Sequence, residues 1–116
     1  MANVQKTYAL VLGLVLAVVG VWGLFTTSIL GLFGVNVFQS VLHLIAAAFG
    51  IYAGTKGDGT TYNQVLGWIA IVLAVLGLVP GVKDVLLSLL NINMAITVLH
   101  LAIGVVTLGV FYGVKE

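Results

Sequence analysis

The stretch NVFQSVLHL, Asn36 to Leu44, places Asn, Gln, Ser and His inside a chain that is otherwise apolar. A second stretch, NMAITVLHL from Asn93 to Leu101, repeats its Asn, its His and its VLHL tetrapeptide at the same spacing. The match extends outward without a gap at an offset of 57: VLAV at 15–18 recurs at 72–75, Gly20 as Gly77, and Leu32 as Leu89. A duplication of this kind governs the fold reading, because each repeat is one supersecondary unit. The two units are expected at about residues 7–57 and 64–114.

Composition sets the solvent. Of 116 residues, 62% are hydrophobic and 6% charged, against about a quarter charged in an average soluble domain. That leaves too little polar surface to cover a water-soluble globule, so the chain reads as all-α integral membrane protein. Four Lys against three acidic residues, with no Arg, give no basic patch for a nucleic-acid partner. The absence of Cys excludes disulfides and thiolate chemistry.

Four apolar runs follow: Tyr8 to Phe25, Val35 to Tyr52, Val65 to Val79 and Met94 to Tyr112. A helix needs about 20 residues to cross a hydrocarbon layer about 30 Å thick. The third run is short before Pro80 but extends backwards through Asn63 and Gln64. Lys6 ahead of the first run resembles a signal-peptide start, yet the run is half of a repeat and is read as a spanning helix. TTSILGLFG and PGVKDVLLSLL are too short to span and are expected as interfacial turns or short surface helices. The fold predicted is a four-transmembrane-helix bundle built from two parallel two-helix repeats, its pseudo-axis along the membrane normal. His43 and His100 then share one depth.

Lys6, Lys56 and Lys115 fall on one side with both termini, and Lys83 on the other. The positive-inside rule makes the termini cytoplasmic. Tyr8, Tyr52, Tyr62 and Tyr112 belong to an aromatic belt at that side, with Trp68 at the same boundary and Trp22 at the opposite one.

Steps of four and three along the second run collect Asn36, Ser40, His43, Ala47 and Gly50; the fourth run gives Asn93, Thr97, His100, Gly104 and Thr107. This 3.5-residue spacing is that of a helix-packing seam. In lipid, helices associate through small residues and interhelical hydrogen bonds, so the two seams are expected to face each other near the pseudo-axis. Asn36 and Asn93 suit N-caps, and either imidazole can hydrogen-bond a neighbouring helix.

Intramembrane ionisable groups are functional candidates by default. An alternative is therefore cofactor binding, with His43 and His100 as axial ligands of a tetrapyrrole, b-type haem or chlorophyll. Proton or ion conduction is weaker still, since Asp58, Asp84 and Glu116 lie in loops or at the terminus. No catalytic residue and no metal site can be nominated: phosphate-loop, zinc-protease and nucleophile-elbow motifs are absent.

GVNVFQSVLHL and LNINMAITVLHL resemble the repeated Asn-and-His pattern of domain of unknown function 4383, a family of small prokaryotic membrane proteins. The likeness covers most of the chain, departing from the pattern at Gln39, Ser40, Ile96 and Thr97. It implies location in the cell membrane of a bacterium or archaeon and brings no established activity. Together these readings predict a non-enzymatic membrane protein. Its partners would be the lipid bilayer and other membrane subunits or a second copy, met through small-residue stripes left over on the first and third helices.

Overall fold

The computed structural model describes residues 3–114. Helices α1 (Val4–Gly23), α2 (Val37–Thr55), α3 (Thr60–Leu76), α4 (Val82–Leu90) and α5 (Met94–Gly113) carry the fold. Two short strands, β1 (Ser28–Ile29) and β2 (Phe33–Gly34), lie between α1 and α2. Helices α1, α2 and α5 have 20, 19 and 20 residues and are apolar enough to cross a membrane. At 1.5 Å per residue each is about 30 Å long, the thickness of the hydrocarbon layer. Helix α3 is equally apolar but has 17 residues. It starts at Thr60, and Gly77 caps it before Pro80, where a missing N–H forbids continuation.

The chain runs up and down. Gly59, at φ 81°, packs against the Gln5 carbonyl, so α1 and α3 begin at the same end. The strand hairpin and α4 lie at the other end. Within each half the helices pack closely along their lengths, α1 on α2 and α3 on α5. Glycine makes this possible. A Cβ at Gly13 would stand 2.7 Å from the Ile51 nitrogen and 2.9 Å from the Gly50 carbonyl carbon. In the second half a Cβ at Gly104 would stand 2.7 Å from the Ile71 side chain.

Between the halves the contacts differ from those predicted. Helix α1 meets α3, with lighter contacts from α1 to α5 and from α2 to α3. The closest backbone approach between the halves is that of α1 and α3, not of α2 and α5, the helices carrying the histidines. The reason is in the side chains: Gly13 and Gly20 of α1 take up the α2 seam, and Gly77 of α3 takes up Thr97 of α5. The same contacts take up Gly13, Gly20 and Gly77 of the stripes expected to remain free on the first and third helices.

The two equivalent connections also diverge. In the first half, Leu30 and Gly31 adopt φ 58° and 68°, and Leu32 N–H returns to the Ile29 carbonyl at 3.1 Å. Two left-handed residues in succession make the tight turn of a β-hairpin, in which Ile29 pairs with Phe33 and Ser28 with Gly34. The turn expected over this stretch thus takes the form of a two-stranded hairpin. The second half forms α4, as a Gly-free KDVLLSLL favours. Trp68 stands mid-way along α3 rather than at a boundary.

Candidate functional site

Asn36 and Asn93 are the N-cap residues of α2 and α5, both with extended backbones. Each side-chain oxygen accepts from the amide three residues on: Asn36 from Gln39 N–H at 2.8 Å, Asn93 from Ile96 N–H at 3.1 Å. That satisfies one of the free donors at a helix start. The other end of each side chain crosses between halves. Asn36 Nδ2 donates to the Leu89 carbonyl at 2.9 Å, and Asn93 Nδ2 donates to the Leu32 carbonyl at 3.1 Å. Leu32 and Leu89 are themselves repeat equivalents. The two bonds are therefore one bond made twice, as across a two-fold interface.

Two further side chains strengthen this clasp. Gln39 is buried and donates through Nε2 to Leu90 O at 2.6 Å and Gly34 O at 3.1 Å. Asn91, which ends α4 at φ 55°, donates through Nδ2 to Val35 O at 2.7 Å and Thr27 O at 3.0 Å. It holds the hairpin of the other half closed. Sequence reading passed over Asn91; its signal was an Asn just after a Leu-rich helix, where asparagine tolerates the left-handed conformation.

A second set of bonds ties the opposite end. Gln5 Nε2 donates to Val110 O at 2.7 Å, and Asn63 Nδ2 donates to Gln5 O at 3.0 Å and Oε1 at 2.8 Å. Tyr62 OH donates to Ala46 O at 2.8 Å, and Tyr8 OH shares a hydrogen with Thr107 Oγ1 at 2.6 Å. Two tyrosines assigned to an interfacial belt thus join helices, whereas Tyr52 and Tyr112 are exposed. Gln5 and Asn63 had no motif to mark them.

The seam residues distribute as follows. Ser40, Ala47 and Gly50 of α2 are buried, as are Thr97, Gly104 and Thr107 of α5. Ser40 lies against Gly23 and Thr97 against Gly77, both within their own half. His43 and His100 are half-buried, seven residues beyond their caps, which is about 10 Å along the helix. In both, Nδ1 is enclosed and has no hydrogen-bond partner among the described residues. The expected bond from an imidazole to a neighbouring helix is not made.

Two shallow surface depressions border α1 at Leu14, Val18 and Trp22. The described residues hold no cluster of three His, Cys, Asp or Glu. Asp58 caps the Thr60 N–H at 3.0 Å, and Asp84 lies in the first turn of α4.

The family model described as Domain of unknown function (DUF4383) matches residues 6–112. The chain belongs to this family. Its DUF4383 region takes in both Asn caps, both histidines and Asn91, and begins one residue after Gln5. No curated protein matches the chain, and no solved structure does.

Proposed function

We propose that this DUF4383 protein is a non-enzymatic, multi-pass subunit of a prokaryotic cell membrane that packs as an accessory or structural element in a larger assembly. Its four longer helices cross the bilayer as two parallel repeats, with both termini cytoplasmic. The observation that carries this reading is the reciprocal clasp, Asn36 to Leu89 and Asn93 to Leu32. Polar side chains in lipid are costly, and those at the clasp are spent joining the halves to each other.

Other features support it. The outward residues of the long helices are largely Val, Leu, Ile and Phe, which suits lipid or the apolar flank of another membrane protein. Lys6 and Lys56 lie at the end opposite Lys83, as the positive-inside rule requires of cytoplasmic termini. Extraction from native membranes in mild detergent, followed by native mass measurement, tests the subunit role. The expected mass exceeds one chain and its detergent; a stable lone monomer sinks the proposal.

A further inference from the structure

The hairpin and α4 lie at the same end of the molecule, and both leave apolar side chains bare. Phe25, just after α1, and Leu30, at the hairpin tip, are 84% and 73% exposed, the highest values for large apolar side chains among the described residues. On α4 the partly covered residues are Val82, Leu86 and Leu90, spaced by four, so that edge faces the protein. Val85 and Leu89 form an exposed apolar edge beside it, and α4 has no buried residue.

Leu30 is the sharpest case. It stands at φ 58° before Gly31 at φ 68°, in a turn whose usual first residue is Asn, Asp or Gly. Leucine there strains the backbone, and the fold leaves its side chain largely uncovered. Neither cost is recovered inside the molecule.

The dimensions say what lies outside. The molecule is 44 Å along its longest axis, and a bilayer with its headgroups is about 40–45 Å thick. Spanning helices use about 30 Å of this, which leaves about 7 Å at each end, the depth of one headgroup layer. Helix α4, with nine residues, is about 13 Å long and fits that layer only by lying along the surface. Asp84 and Ser88 then fall opposite the edge that meets the protein and point to water. Val85 and Leu89 lie between the two edges, at the height where headgroups meet acyl chains.

We propose that Phe25 and Leu30 beside and on the hairpin, with Val85 and Leu89 of α4, are a two-part lipid anchor. They insert into the headgroup–acyl boundary of the leaflet opposite the termini. The proposal rests on the multi-pass reading and adds to it the partner of this end, the bilayer surface. The reciprocal clasp sets the two connections on opposite sides of one pseudo-two-fold. A bilayer surrounds both, whereas one docked helix reaches one. Lys83 and Asp84, the charged residues of this end, cancel, so insertion is driven by apolar area without preference for anionic headgroups.

The chain has no Cys, so single nitroxide labels on the full protein in phosphatidylcholine vesicles test this. Collisions with oxygen, which concentrates in lipid, are compared with those of a water-soluble nickel chelate. Labels at Leu30→Cys and Leu89→Cys should favour oxygen severalfold, and labels at Lys83→Cys and Ser88→Cys should favour nickel. Adding phosphatidylglycerol should leave the four ratios unchanged. Val105→Cys, exposed on α5, reports the spanning region, and helical circular dichroism verifies that each variant is folded. If the Leu30 or Leu89 label meets nickel as freely as that at Lys83, the anchor fails while an oxygen-favouring Val105 label keeps the multi-pass reading. Shielding of Leu30 and Leu89 from both reagents would mean that protein covers this end, and insertion confined to anionic vesicles would mean that charge drives it; either overturns the proposal. If the Val105 label also favours nickel, both readings fail.

Discussion

Asn36 and Asn93 hold the two halves of the molecule by the same bond made in both directions, amide to Leu89 carbonyl and amide to Leu32 carbonyl. Each is also the N-cap of its own helix. One side chain thus starts a helix with its oxygen and fixes the neighbouring repeat with its nitrogen.

The two roles separate by substitution. Asn36→Ala loses cap and cross-bond together; a cap is worth about 0.5–2 kcal/mol and an intramembrane hydrogen bond about 0.6 kcal/mol. Asn36→Ser keeps a capping oxygen and loses only the donor. Unfolding by SDS titration in mixed micelles should rank wild type above Ser and Ser above Ala, with Asn93 giving the same order. An Ala variant as stable as wild type would remove the clasp from the account.

Glycine supplies a sharper contrast. At Gly13 an added Cβ would press on the backbone of Gly50 and Ile51, which cannot rotate away. Gly13→Ala should cost about 1–3 kcal/mol, the usual penalty for overpacking. At Gly109 nothing lies within 4 Å of the same atom. Gly109→Ala should be neutral or stabilise the helix by up to about 1 kcal/mol. The same SDS titration reads both; equal effects would mean that α1 and α2 do not approach this closely.

Why some of this was legible in the sequence and some was not follows from range. The caps announce themselves, since an Asn before an apolar run has a local job. The positions of the apolar helices follow from hydropathy, and α5 begins at the Met94 where its run begins. The pairing of helices does not follow from either. A stripe of Ser, Ala and Gly shows that something packs closely on α2, but Gly13 on α1 and an equivalent stripe on α5 offer equally good partners. Gln5, Asn63 and Asn91 were invisible for another reason. Their bonds go to backbone carbonyls or to one another across the fold, and carbonyls are present at every residue. The divergence of β1–β2 from α4 was hidden by treating repeat equivalents as structural equivalents, although Gly31 and Gly34 have Ser88 and Asn91 as counterparts.

Tyr8 and Thr107 offer a measurable link between the first helix and the last, through one bond of 2.6 Å. Tyr8→Phe and Thr107→Val each remove one partner with little change of shape. A double-mutant cycle isolates their coupling. The expected coupling is about 0.6 kcal/mol and below about 1.7 kcal/mol, the range found for hydrogen bonds between membrane helices. No coupling would mean that the two side chains do not meet in the bilayer.

Helix α3 decides the topology, because its 17 residues lie at the lower limit for a crossing. The chain contains no Cys, so single cysteines report sidedness without a background. Lys56→Cys lies in the connection before α3 and Lys83→Cys in α4 beyond it. If α3 crosses, a membrane-impermeant maleimide added to whole cells should label Lys83→Cys and reach Lys56→Cys only after lysis. Hydrogen bonds from Asn63 hold the start of α3 level with the start of α1, and the clasp holds α4 level with the start of α2. A span of α3 shorter than the bilayer would then be met by local thinning, at fractions of a kcal/mol per Å, not by withdrawal of the helix. Labelling of both cysteines from the same side would exclude a fourth crossing and, with it, the parallel arrangement of the two repeats.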